Sequence, residues 1–138
     1  MTTDLASYAG TIRKACNSHD VDRLVGLCSP EYTGSDVGQS AVVRGREAVR
    51  AMLETYWRAF PDLQLAATDT LVHGSRLAIV WMAWGTHRGT IMNIPPTGRR
   101  VEVRGVSIIE IEDGLVVRGQ SIWDLAGMLR HLGLLPEL

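Results

Sequence analysis

The chain has 138 residues, 14 lysines and arginines against 15 aspartates and glutamates, a formal net charge of -1 and 46% hydrophobic residues. That length suits a single domain over residues 1–138, able to bury a core without disulfide or metal staples. The balanced charge offers no basic field for a nucleic-acid partner. The longest apolar run, Leu77 to Gly85, is far short of the ~20 residues that cross a bilayer, so no membrane association is expected.

The opening MTTDLASYAG lacks a basic n-region and a long apolar h-region, so no secretory signal is read and a cytoplasmic location is expected. Leu5, Tyr8, Ala9, Ile12 and Cys16 mark one face of a first helix, broken at Asn17-Ser18-His19-Asp20. Asp20 is a good N-cap for a short second helix through Val21, Leu24, Val25 and Cys28, which Pro30 stops. The mixed segment from Glu31 to Arg44 reads as a weak strand and a loop. Val49, Met52, Leu53, Tyr56 and Phe60 form the stripe of a third helix ended by Pro61.

From Leu63 the pattern changes to strands, in LQLAATDTLV, RLAIVWMAWGTHRG, RRVEVRGVSIIEIE and LVVRGQSIWD. Turn signals at His73-Gly74-Ser75, Pro95-Pro96-Thr97-Gly98 and Asp113-Gly114 make the connections antiparallel. Leu125, Met128, Leu129 and Leu132 suit a last short helix stopped by Gly133. Helices followed by a strand meander indicate an α+β fold. Helices over one face of a long, bent sheet would leave a cone with an apolar interior, a natural pocket for a hydrophobic small molecule.

Cys16 and Cys28 fall on apolar helical positions, where a thiol acts as a small hydrophobe. The histidines at 19, 73, 87 and 131 show no ligand spacing, and neither GxGxxG nor a P-loop is present, so no metal and no organic cofactor is expected.

The ordered stretches FPDL (Phe60 to Leu63), GTHRG (Gly85 to Gly89), IPPTGRR (Ile94 to Arg100) and EDG (Glu112 to Gly114) lead to Asp124 and HLGLLP (His131 to Pro136). From about the third helix to the end, this order resembles the SnoaL-like polyketide cyclases of the NTF2-like superfamily. The resemblance implies a cone-shaped barrel, a curved antiparallel sheet wrapped around N-terminal helices, assembled as a homodimer or homotetramer. It also implies cofactor-free intramolecular aldol ring closure of an aromatic polyketide ester, with an aspartate at the end of the last long strand as acid and base. Asp124 matches that position. Related members are recruited to hydroxylation. The chain departs from the family pattern at Asn93, where a glycine is common, and at Arg118, Gly119 and Gln120, where an acidic and aromatic pair is common.

Read from the residues, Asp124 is bracketed by apolar neighbours, which suits general acid/base work, yet an aspartate directly before a helix is equally an N-cap. Alternation puts Gln120 on the same face as Asp124, as a candidate to orient a substrate carbonyl or as a surface amide. His87 shares a face with Trp81, Ala83 and Gly85 and is a second catalytic candidate; its other reading is a hydrogen-bonded strand-end residue. Trp81 and Trp123 are candidates for substrate contact as well as core. Tyr8, Tyr32 and Tyr56 are candidate donors to a substrate oxygen. The diproline Pro95-Pro96 stiffens the loop behind the lip Ile91-Met92-Asn93-Ile94, of which Met92 and Ile94 would fence the pocket mouth. Three functions are open: a ring-closing enzyme, a cyclase-like protein recruited to hydroxylation or another tailoring step, and a non-catalytic ligand-binding module.

Overall fold

The structure is a computed structural model that describes residues 4–137. Helix α1 (Leu5–Asn17) starts at Asp4, whose carboxylate accepts the N–H groups of Ala6 and Ser7. Helix α2 (Val21–Leu27) starts at Asp20, whose side chain accepts Arg23 N–H. The second helix stops one residue short of its expected end, and Cys28 opens β1 (Cys28–Asp36). Pro30 supplies the reason, since it forces Ser29 into extended backbone and offers no donor to a further helical turn. Two residues of β2 (Val43–Arg44) precede α3 (Gly45–Ala59), which Gly45 enters at φ +80°. Then come β3 (Gln64–His73), β4 (Arg76–Thr86), β5 (Arg100–Glu112), β6 (Leu115–Trp123) and α4 (Leu125–His131).

These strands form an open six-stranded sheet in the order β2-β1-β6-β5-β4-β3. Strands β3 to β6 are the expected antiparallel meander. Strand β1 runs parallel to β6, so the sheet is mixed and the all-antiparallel expectation is corrected. Tight turns dictate direction only between consecutive strands; β1 reaches β6 after a crossover through α3 and the meander, a connection long enough for parallel pairing.

The helices cover one face of this sheet, with α1 against β3 and β4, α3 against β1 and α4 against β5. On β4 the covered face carries Leu77, Ile79 and Ala83, all buried, and on β5 it carries Val101 and Ile111. The result is the α+β, NTF2-like cone, with apolar walls converging beneath the helices.

Strand β4 ends at Thr86 instead of running on to Gly89. Arg88 and Gly89 both turn their N–H groups to the Ala59 carbonyl at the end of α3, at 2.8 and 3.1 Å. Gly89 lies so close to that helix that a Cβ would come within 2.4 Å of the Arg58 carbonyl oxygen, so a side chain would force the two apart. The following segment closes a tight turn, with Ile91 bridging Ile94 and Met92 and Asn93 at φ 49° and 64°.

Candidate active site

The covered face of the sheet and the helices enclose a cavity of about 320 Å³, within the size range of small-molecule sites. Its walls are mainly aliphatic and aromatic, and Asp36 brings a carboxylate into it. Asp36 ends β1 on the inward phase shared with Tyr32 and Gly34. Its Oδ1 accepts three hydrogen bonds, from the Tyr56 hydroxyl at 2.7 Å, Gly38 N–H at 2.8 Å and Trp123 Nε1–H at 3.0 Å. Its Oδ2 receives none from the described residues. The carboxyl group is therefore fixed by one oxygen and left with a free acceptor on the other.

Tyr56 comes from α3 and meets the Trp123 ring edge-on at 6.4 Å between centroids. Burial pushes its hydroxyl up from the ordinary phenol range, and the Asp36 charge adds to this, so Tyr56 stays a donor. Gly38 is small where space is needed, because a Cβ there would lie 2.3 Å from the Tyr56 hydroxyl oxygen.

Beside Asp36 lies a second polar group. Trp81 Nε1–H donates to Ser107 Oγ at 3.0 Å, and Ser107 and Ser121 share a hydroxyl–hydroxyl bond of 2.8 Å. Sheet register puts these residues in a row, since Asp36 pairs with Ser121 and Ser121 with Ser107. Tyr32 also lines the cavity, its hydroxyl seated over the cross-strand pair Gly34 and Gly119. Burial pushes that hydroxyl up to about 12. Tyr8 is a core residue, its single hydroxyl hydrogen shared between the carbonyl oxygens of Gly114 and Leu27 at 3.1 and 3.3 Å.

The expected site residues divide. Trp81 and Trp123 line the cavity. Asp124 does not: it is exposed and caps α4, its Oδ1 accepting Gly127 N–H at 2.8 Å. Expecting it to be a desolvated carboxylate is corrected by strand phase, because Gly119, Ser121 and Trp123 are the inward residues of β6. Gln120 shares the outward phase and is exposed, so its expected place beside a substrate carbonyl is corrected too. The two residues do lie on one face, but it is the outer one.

His87 is fully buried yet lies outside the cavity wall, tilted against Phe60 at 5.5 Å. Its Nδ1 accepts Thr97 N–H at 3.1 Å and lies 3.0 Å from Thr97 Oγ1. A backbone N–H can only donate, so Nδ1 carries the lone pair and the neutral ring holds its proton on Nε2. This geometry pins the diproline loop and corrects the expected place of His87 in the site. Met92 is exposed and reaches towards Gly38, beside Tyr56. Ile94 packs in the cluster of Phe60, Val101 and Met128, off the cavity wall, whereas its bridge partner Ile91 lines the cavity.

Asp36, Ser107 and Ser121 escaped the sequence reading. Asp36 lies in the segment read as a weak strand, and only the alternation Tyr32-x-Gly34-x-Asp36 hints that it points inward. Among the described residues no group of three or more His, Cys, Asp or Glu side chains could hold a metal ion, and no helix is long and apolar enough to cross a membrane.

The family model described as SnoaL-like polyketide cyclase matches residues 7–132, which extends the similarity into α1. No curated protein gives a significant match. Among solved structures, TsrD from Streptomyces laurentii is 31% identical with a TM-score of 0.86, covering 98% of this chain and 99% of that one. AclR from Streptomyces galilaeus, a proposed hydroxylase, is 27% identical with a TM-score of 0.86, covering 98% of this chain and 84% of that one. IdmH from Streptomyces antibioticus, a proposed polyketide cyclase, is 27% identical with a TM-score of 0.82, covering 95% of this chain and 99% of that one.

Proposed function

The chain belongs to the SnoaL-like polyketide cyclase family, and on that footing we propose that its cavity closes a carbon ring in an aromatic polyketide intermediate by an intramolecular aldol reaction. Asp36, in place of Asp124, is the acid and base. Its Oδ2 takes a proton from a carbon flanked by carbonyls, the resulting enolate attacks a ketone carbon of the same molecule, and the proton returns to the new alkoxide oxygen. Atoms and charge balance without a cofactor. The chemistry asks for one oriented carboxylate and a dry wall that holds the two carbons in contact. The observation that carries the reading is Asp36 itself, with Oδ1 held by three donors and Oδ2 free among the described residues, inside a mainly apolar cavity in which it is the one carboxylate among the described lining residues.

The likeness to AclR favours a second reading, hydroxylation of a similar substrate, with dioxygen and a reductant supplied from outside the chain. Incubation of the purified protein with uncyclised aromatic polyketide esters separates the two by product mass. Ring closure leaves the mass unchanged or lowers it by one water, and hydroxylation raises it by one oxygen. Binding without any change of mass would favour a ligand-binding module.

A further inference from the structure

The hydrogen bonds of the Trp81–Ser107–Ser121 group leave one donor over. An indole N–H can only donate, and each serine hydroxyl has one hydrogen, so the group holds three donor hydrogens. Two are used, one in the Trp81 bond to Ser107 Oγ and one between the serines, whichever of them donates. The third hydroxyl hydrogen has no acceptor among the described residues. Both serines line the cavity, so this hydrogen belongs to its floor. In an apolar setting a donor without a partner is costly, and hydrogen bonds in series polarise one another.

Placement gives this donor a direction of use. Ser121 is the register partner of Asp36, one strand spacing of about 4.8 Å away, and Ser107 is the next in the row. An acceptor, Asp36 Oδ2, and a donor hydroxyl thus lie side by side on one floor. Gly105 makes the arrangement possible: a Cβ there would fall 2.5 Å from Trp81 Cζ2 and 2.7 Å from Trp123 Cβ, so only glycine lets both indoles reach their acceptors.

We propose that the Ser107–Ser121 pair, held by Trp81, donates to the carbonyl oxygen of the substrate and to the enolate oxygen that develops there. The substrate class follows: a carbon acid whose acidic carbon faces Asp36 while the adjoining ketone or ester oxygen faces the serines. This rests on the reading of Asp36 as base, and the test is chosen to separate the two.

The probe is β-naphthol, whose ionised oxygen imitates an enolate, bound to an Asp36→Asn background so that no carboxylate opposes the anion. Its absorbance reports the ionised fraction of the bound probe as a function of pH. Replacing both serines (S107A with S121A) is expected to raise the pH at which bound naphthol ionises by about one unit, the size of one charge-assisted hydrogen bond. Trp81→Phe, which keeps an aromatic ring and removes the N–H, is expected to give a smaller shift in the same direction. Thermal unfolding of each variant confirms that the fold persists. An unchanged ionisation in the double serine variant, or no binding of naphthol to the background protein, overturns the proposal. Turnover that survives Asp36→Asn alone overturns the base assignment instead, and leaves the naphthol result to stand or fall independently.

Discussion

Tyr56 on α3 donates its hydroxyl to Oδ1 of Asp36 on β1 across 2.7 Å, joining the helical layer to the end of a strand within the cavity. Gln39 donates in turn to the Tyr56 oxygen at 3.4 Å. Tyr56→Phe keeps the ring against Trp123 and removes one of the three donors to Oδ1. We expect a stability loss of about 1.5–3 kcal/mol, typical of a bond to a charged acceptor, together with reduced turnover. Urea unfolding and rate measurements on the same preparation check both; an unchanged rate would mean that Trp123 and Gly38 suffice to hold the carboxylate.

Asp36→Asn and Asp124→Asn form the decisive pair. Asn at 36 preserves size and removes the base, so turnover should fall on the order of 10²–10⁴-fold with the fold intact. Asn at 124 remains a good cap, and both rate and stability should stay close to the parent. Asp124→Ala should lower stability by roughly 0.5–2 kcal/mol without abolishing the reaction. The reverse ranking of rates would return the chemistry to Asp124.

Gly119→Ala places a Cβ 2.5 Å from the Tyr32 hydroxyl oxygen but 3.3 Å from the nearest ring carbons. Gly34→Ala places one 2.1 Å from that oxygen and 2.6 Å from Cζ. Both should destabilise, by about 1–3 kcal/mol for overpacking. Adding Tyr32→Phe should rescue Gly119→Ala, since the only severe clash is with the hydroxyl. It should not rescue Gly34→Ala, where the ring itself collides. Melting temperatures of the four variants test the contrast.

Burial pushes the Cys16 thiol up to about 12 and the Cys28 thiol to about 11, from an ordinary value of 9.0. At pH 8 both should react slowly with a disulfide reagent in the folded protein and rapidly in urea. Stability follows the same sign. The folded state keeps protons that the unfolded chain releases, so this contribution is complete below pH 9 and is lost as pH rises from 9 towards 11 and 12. Unfolding free energies measured across that range should decline, and Cys16→Ala should flatten the decline.

Self-association is expected through the uncovered side of the sheet and its edge, where Leu71, Val72 and Ile122 are exposed. Light scattering coupled to size exclusion should give a mass that is a multiple of the 15.1 kDa chain. A particle of 15.1 kDa at micromolar concentration would refute this.

Local chemistry in the sequence determined the helices, the hairpin meander and the caps at Asp20 and Asp124, because spacing, turn residues and N-cap side chains act over a few neighbours. Alternation also paired Gln120 with Asp124 by face, but it stops at Thr86, so it did not place His87 on the cavity wall with Trp81. A period of two defines two faces but does not say which one is covered; the packing of α1, α3 and α4 decided that, turning Ser121 and Trp123 inward and Asp124 out. The parallel pairing of β1 with β6 was equally out of reach, since its partners lie more than eighty residues apart. That pairing sets Asp36 beside Ser121 and within 3.0 Å of Trp123 Nε1, so the candidate site is made by contacts that no stretch of sequence contains.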